Sequence, residues 1–100
     1  MLYVGILEVE LLLPHARSLK DRRRVVRSLK ERARARYHVS AAEVGDADQP
    51  RRALLAFTTT AGSAAVVELT LDTLERLVFA AEAEIGLLRR ALRSAEDLWG

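Results

Sequence analysis

The chain has no cysteine, two prolines, one methionine and one tryptophan. Without cysteine it can build no disulfide, no thiolate zinc site and no thiol nucleophile, a composition compatible with a reducing compartment. It also has no Gly-rich phosphate loop, no G-x-G-x-x-G, no H-E-x-x-H and no G-x-S-x-G, so no enzyme class is signalled by motif. Long hydrophobic runs are missing as well. Leu2 to Leu13 is apolar, but Glu8 and Glu10 interrupt it and no basic stretch precedes it. It falls far short of the roughly 20 residues a membrane helix needs and does not read as a signal peptide. These absences set the expectation of a soluble, cytoplasmic, non-enzymatic protein without a cofactor.

What is present is a core and a lopsided charge. One hundred residues with 50% apolar content suit a single domain that needs no staples. Net charge is +2, yet Arg17 to Arg36 alone carries +8 and the remainder −6, and fourteen of the sixteen basic residues are arginine. Such segregation creates a directional field, which bears on partners and not on fold.

Leu2 to Leu13 alternates as a strand. Tyr3, Gly5, Leu7, Val9, Leu11 and Leu13 fall on one face, and Val4, Ile6, Glu8, Glu10 and Leu12 on the other. Pro14 ends it, having no N–H to donate. Ser18 is a good N-cap with Asp21 three residues on, a short-armed capping box. A helix over Leu19 to Arg36 places Leu19, Val25, Val26, Leu29, Ala33 and Tyr37 on one side and a basic arc of about 120° beside them. Arg22 lands inside the apolar arc, so it must snorkel or pair with a carboxylate.

Tyr37 to Val44 reads as a polar edge strand, residues 45–50 as turn chemistry, and Arg52 to Thr60 as a third, apolar strand. Gly62-Ser63 opens a second amphipathic helix. Glu84 to Arg93 can either continue that helix or form a fourth strand. Gly86 and the need for a fourth strand favour Ile85 to Ala91 as strand, with Ser94 to Gly100 a loose tail or short turn beyond a sandwich over residues 1–93. This order, strand–helix–strand–strand–helix–strand, is the α+β ferredoxin-like arrangement: a four-stranded antiparallel sheet with both helices on the face of Leu7, Val9, Leu55 and Phe57. Strands 1 and 3 should be central and strands 2 and 4 at the edges.

The run Pro14-His15-Ala16-Arg17-Ser18-Leu19-Lys20-Asp21-Arg22-Arg23-Arg24-Val25-Val26-Arg27-Ser28-Leu29, followed by Tyr37-His38-Val39-Ser40-Ala41-Ala42-Glu43-Val44, resembles the YlxP-like family of small bacterial proteins through about Ala56. The resemblance implies the same fold and no established activity, with genes that often lie among those for translation and ribosome assembly. Where that family tends to carry Asp-x-Trp-Gln-Arg-Ala, this chain has Asp48-Gln49-Pro50-Arg51-Arg52-Ala53, so Asp48 and Arg52 match and the aromatic is Pro50.

Candidate chemistry outside the basic arc is sparse. His15 and His38 can each serve as a base, but neither has a nucleophile or ligand nearby in sequence, and a solvated loop histidine and a strand-edge histidine are the ordinary readings. Asp46 and Asp48 can hold a hard cation, or simply form the turn with local pairs to Arg51 and Arg52. Glu8 and Glu10 share a strand face and can act as an acid/base pair, or pair with Arg22 or a partner subunit. The open sheet face offers Val4, Ile6, Glu8, Glu10, Leu54, Ala56 and Thr58, with no ring on which to stack a base, which disfavours RNA-recognition-domain binding.

The basic arc remains. Its ordinary reading is a solvated face supported by Glu31–Arg27 and Asp21–Arg24 pairs. Its functional reading is an accessory protein docking on structured RNA such as ribosomal RNA, with Lys20, Arg23, Arg24, Arg27, Lys30 and Arg34 on phosphates and Ser18 with the helix start accepting another. The alternative is a homo-oligomeric interaction or small-ligand module with no nucleic-acid role. A homodimer through the open sheet face or an edge strand is expected, because Val4, Ile6, Leu12, Leu54 and Ala56 would otherwise be a bare apolar patch.

Overall fold

The computed structural model describes residues 1–100. The elements are β1 (Tyr3–Leu12), α1 (Leu19–Arg36), β2 (Val39–Glu43), β3 (Arg52–Ala61), α2 (Ala64–Phe79), β4 (Glu84–Ser94) and α3 (Ala95–Trp99). All strand pairs are antiparallel, in the order β2-β3-β1-β4. The most apolar strands are therefore central, and the fold is ferredoxin-like. No helix is long and apolar enough to cross a membrane.

Alternation decides which face is covered. Leu7, Val9 and Leu11 of β1 and Leu55 and Phe57 of β3 are fully buried against Val26, Leu29 and Ala33 of α1 and Val67, Leu71, Leu74 and Val78 of α2. Gly5 lies on this face, where a Cβ would stand 2.5 Å from Val67 Cγ1 and 3.1 Å from Leu71 Cδ1. Glycine thus lets α2 approach β1 closely. Gly5→Ala should destabilise the protein by about 1–3 kcal/mol through overpacking. Urea titration checks this, and a midpoint unchanged at constant m would show that α2 shifts without cost.

Several boundaries differ from the sequence reading. β2 starts at Val39, two residues late, because Tyr37 is the C-cap of α1 and donates its N–H to Ala33. α2 stops at Phe79, and Ala80 and Ala81 bond back to Arg76 and Val78 in a closing turn. β4 spans the whole length of β1, with a bulge between its pairings to Glu10 and Leu11. Gly86 sits there, where a Cβ would collide with the Glu10 carboxylate, so the residue that argued against helix is the one that admits the bulge. The expected loose tail is one helical turn, with Ser94 and Asp97 forming a reciprocal capping box and the Ala95 N–H bonded to Leu2 O.

The edges are treated differently. Val44 donates to Leu54 O, so by alternation the peptide groups of Ala41 point outward from β2. Arg34 donates to that outward Ala41 carbonyl. On the other edge, Arg90 bonds Asp72 and Glu75 of α2. The bond it donates to Glu75, then that to Asp72, raises its pKa above the ordinary arginine value. A raised guanidinium pKa contributes stability at every pH below the unfolded value and is lost only above it, so Arg90 itself adds no pH dependence in the neutral range.

Candidate nucleic-acid interface

Helix α1 begins where Ser18, in extended conformation, accepts the Asp21 N–H through its hydroxyl at 3.2 Å. Asp21 answers one residue earlier than a capping box requires, accepting the Arg17 N–H at 2.9 Å. The carboxylate is thus committed to the helix entry, and the expected Asp21–Arg24 pair does not form.

Arg22 fixes the helix to the sheet. It is 2% exposed, and its guanidinium donates to Glu43, to Arg52 O at 3.0 Å and to Asp46 O at 3.2 Å. One side chain therefore ties the start of α1 to β2, to the β2–β3 turn and to the first residue of β3. The carboxylate is not Glu8 or Glu10. Those two lie on the opposite sheet face, where Glu8 pairs with Arg89 and Glu10 with Arg52, whereas Glu43 pairs in register with Leu55 on the helix-covered face.

With α1 so oriented, the six arc residues divide into two groups. Arg24 is taken up by Glu82, both of its terminal nitrogens lying 3.2 Å from Oε2, and Arg34 by the β2 edge carbonyl. Lys20, Arg23 and Arg27 are exposed and Lys30 half-buried, and none of the four forms an ion pair. These four occupy positions i, i+3, i+7 and i+10, a row of about 15 Å at 1.5 Å per residue. The expected Glu31–Arg27 pair is absent too, so the row is unpaired, although Glu31 lies beside it.

The arc count missed Arg32, which with Lys20, Arg23, Arg24, Arg27 and Glu31 borders a shallow groove of about 720 Å³ on α1. Arg32 lies about 80° past Arg24 by helical count, outside a 120° arc; the total of +8 was the signal that included it.

The remaining candidates are scattered. His15 is exposed in the β1–α1 turn, beside a cleft of about 550 Å³ that also holds Arg17, Asp21, Glu82 and Glu84. His38 is exposed at the far end of α1, and its carbonyl accepts from Thr59. Asp46 accepts the Asp48 N–H at 2.9 Å, an Asx turn; the expected pairs with Arg51 and Arg52 do not form, and Arg52 turns to Glu10 instead.

A profile of the family described as "Protein of unknown function (DUF503)" matches residues 4–90. No curated protein matches the chain. Among solved structures it is similar to the de novo designed protein Ferredog-Diesel, at 13% identity and TM-score 0.50, over 88% of this chain and 83% of that one. It is also similar to the designed protein LFR1 1 with ferredoxin fold, at 14% identity and TM-score 0.48, over 94% and 87%. These likenesses concern shape alone.

Proposed function

The chain belongs to the DUF503 family of proteins of unknown function, and we propose that it is a non-enzymatic accessory protein that docks on structured RNA through α1. The observation that carries this reading is the row Lys20, Arg23, Arg27 and Lys30, none of which forms an ion pair, whereas Arg52, Arg89 and Arg90 on the sheet are each held by a carboxylate of the chain. Cations left unpaired along one helix suit phosphates spaced along a backbone. Arg24 and Arg34 flank the row and can be released to phosphate only at the expense of Glu82 and Ala41 contacts, which makes them secondary. The finer resemblance to the YlxP-like family, with its translation-associated genes, points the same way, and a cytoplasmic location goes with it.

The target is read as structured rather than single-stranded, because the row has no aromatic beside it to stack unpaired bases. Fluorescence anisotropy with a labelled hairpin of ribosomal sequence tests the reading. Binding at tens of micromolar in low salt is expected; no binding below about 100 µM would overturn it, since even non-specific phosphate binding falls within roughly 1–100 µM at physiological salt.

A further inference from the structure

We infer that the groove between α1 and the α2–β4 turn is a seat for one phosphomonoester group, the terminal phosphate of a phosphorylated ligand. It is a hollow of about 140 Å³ with Arg24, Ser28 and Arg32 of α1 on one side and Ala80, Ala81 and Glu82 of the turn on the other. The three α1 residues stand at i, i+4 and i+8, a single ridge in which each arginine is a surface neighbour of the serine. Ser28 and Arg32 are exposed, and neither side chain is bonded within the chain. Opposite them Ala80 and Ala81 offer only methyl groups. The hollow is smaller than the roughly 300–1,000 Å³ of pockets that bury whole ligands. It opens onto the larger groove on α1, with which it shares Arg24, Ser28 and Arg32. It therefore suits one charged group whose remainder lies along α1.

One oxyanion of the chain already borders the hollow. Both terminal nitrogens of Arg24 lie 3.2 Å from the same Glu82 oxygen, so the guanidinium fork closes on one atom instead of pairing with two in parallel. With side-chain exposures of 64% and 73%, such a pair is readily exchanged. A terminal phosphate presents three oxygens, enough for Arg24, the free Arg32 and the Ser28 hydroxyl together. Its charge decides which phosphate enters. A phosphodiester carries one negative charge and replaces Glu82 on Arg24 like for like. A phosphomonoester carries about −1.5 to −2 at pH 7, so it gains on Arg24 as well as on Arg32. The negative end of α2 also lies at the turn, but it amounts to about half a charge and fades within one helical turn. Along an ordinary RNA backbone Arg24 thus stays with Glu82, and a terminal phosphate releases it.

The seat does not depend on the row binding RNA, and two measurements keep the two readings apart. Isotope-labelled protein titrated with adenosine 5′-monophosphate should show saturable NMR shifts of the Ser28, Arg32, Ala80 and Ala81 amides, half-complete on the order of 1 mM. Adenosine should cause none. By anisotropy, a hairpin RNA with a 5′-phosphate should bind about tenfold more tightly than one with a 5′-hydroxyl, the return of one charge-assisted hydrogen bond. A 5′-methylphosphate should behave as the hydroxyl does. Arg32→Gln should remove both responses with unchanged circular dichroism, and Glu82→Gln, lacking the competing carboxylate, should tighten mononucleotide binding about threefold. Arg93→Gln, on the far face of the sheet, should leave both responses in place. A response to the mononucleotide alone would make the ligand a small phosphorylated molecule, and one to the hairpin end alone an RNA terminus; either supports the seat. No response to either, with the mononucleotide taken to about 10 mM, would overturn it. So would an equal gain from the methyl ester, or shifts confined to Lys20, Arg23 and Arg27. A 5′-hydroxyl hairpin that fails to bind overturns only the reading of the row.

Discussion

Replacing Arg22 by methionine should destabilise the protein by about 3–5 kcal/mol, the usual effect of removing one partner of a buried ion pair. For a domain of this size that lowers the thermal midpoint by about 15–30 °C. The magnitude follows from what is left behind. Methionine fills the volume, but the part-buried Glu43 carboxylate and the carbonyls of Arg52 and Asp46 lose the only side-chain donor they share. Glu43→Gln keeps an acceptor in place and removes only the charge, so its effect should be smaller, about 1–2 kcal/mol. The double change Arg22→Met with Glu43→Leu should recover part of the loss but not all, because the two carbonyls still lack a donor. Urea unfolding of the three variants at constant m is the measurement. An Arg22→Met effect under about 1 kcal/mol would mean that water or a neighbouring chain group replaces the guanidinium, and that α1 is oriented by apolar packing alone.

Arg22 also shows how far the sequence could be read. Its misfit was visible at 100° per residue, and so was its need for a carboxylate. Its partner was open to a parity argument that excludes two candidates. Glu8 and Glu10 alternate with the core residues Leu7, Val9 and Leu11, so they face away from any helix packed on that core. What no local pattern shows is that β2 lies beside β3 under the start of α1, which turns Glu43 from a strand-edge acid into the counter-charge. The same holds for the arc. Helical periodicity put Lys20, Arg23, Arg24, Arg27, Lys30 and Arg34 on one side. It could not show that Arg34 reaches a sheet-edge carbonyl, or that Glu82, fifty-eight residues away, meets Arg24. Those partners are fixed by topology. Fold class was more legible because it rests on sums over many residues: two central strands apolar on alternate positions, two helices with one apolar stripe each. Gly86 was correctly read as an obstacle to helix, although its role as the bulge residue needs the pairing with Glu10 and Leu11 to be seen.

Binding of wild-type protein to a structured RNA fragment should weaken on the order of 50- to 150-fold when salt rises from about 50 to about 200 mM. Four free cations on α1 each displace counterions, contributing roughly 0.7–0.9 to the slope of log K against log salt whatever the base sequence. The variant that isolates the row is Lys20→Gln with Arg23→Gln and Arg27→Gln. All three side chains are exposed and without ion pairs, and all three avoid the helix stripe that packs on the sheet, so the thermal midpoint should stay within a few degrees of wild type. Arg34 is unsuitable for this purpose, because its loss uncovers the Ala41 carbonyl on the β2 edge and mixes a stability effect with a binding one. The triple variant should flatten the slope by about two units and cut low-salt affinity at least tenfold. Arg24→Gln, which removes a cation already held by Glu82, should change the slope by less than about half a unit. Anisotropy titrations at three salt concentrations separate the cases. Equal slopes for wild type and the triple variant would show that phosphate contacts lie elsewhere and that the row is a solvated helix face. A large slope change for Arg24→Gln instead would place the contact at the α2 side of the helix, around Arg24 and Arg32.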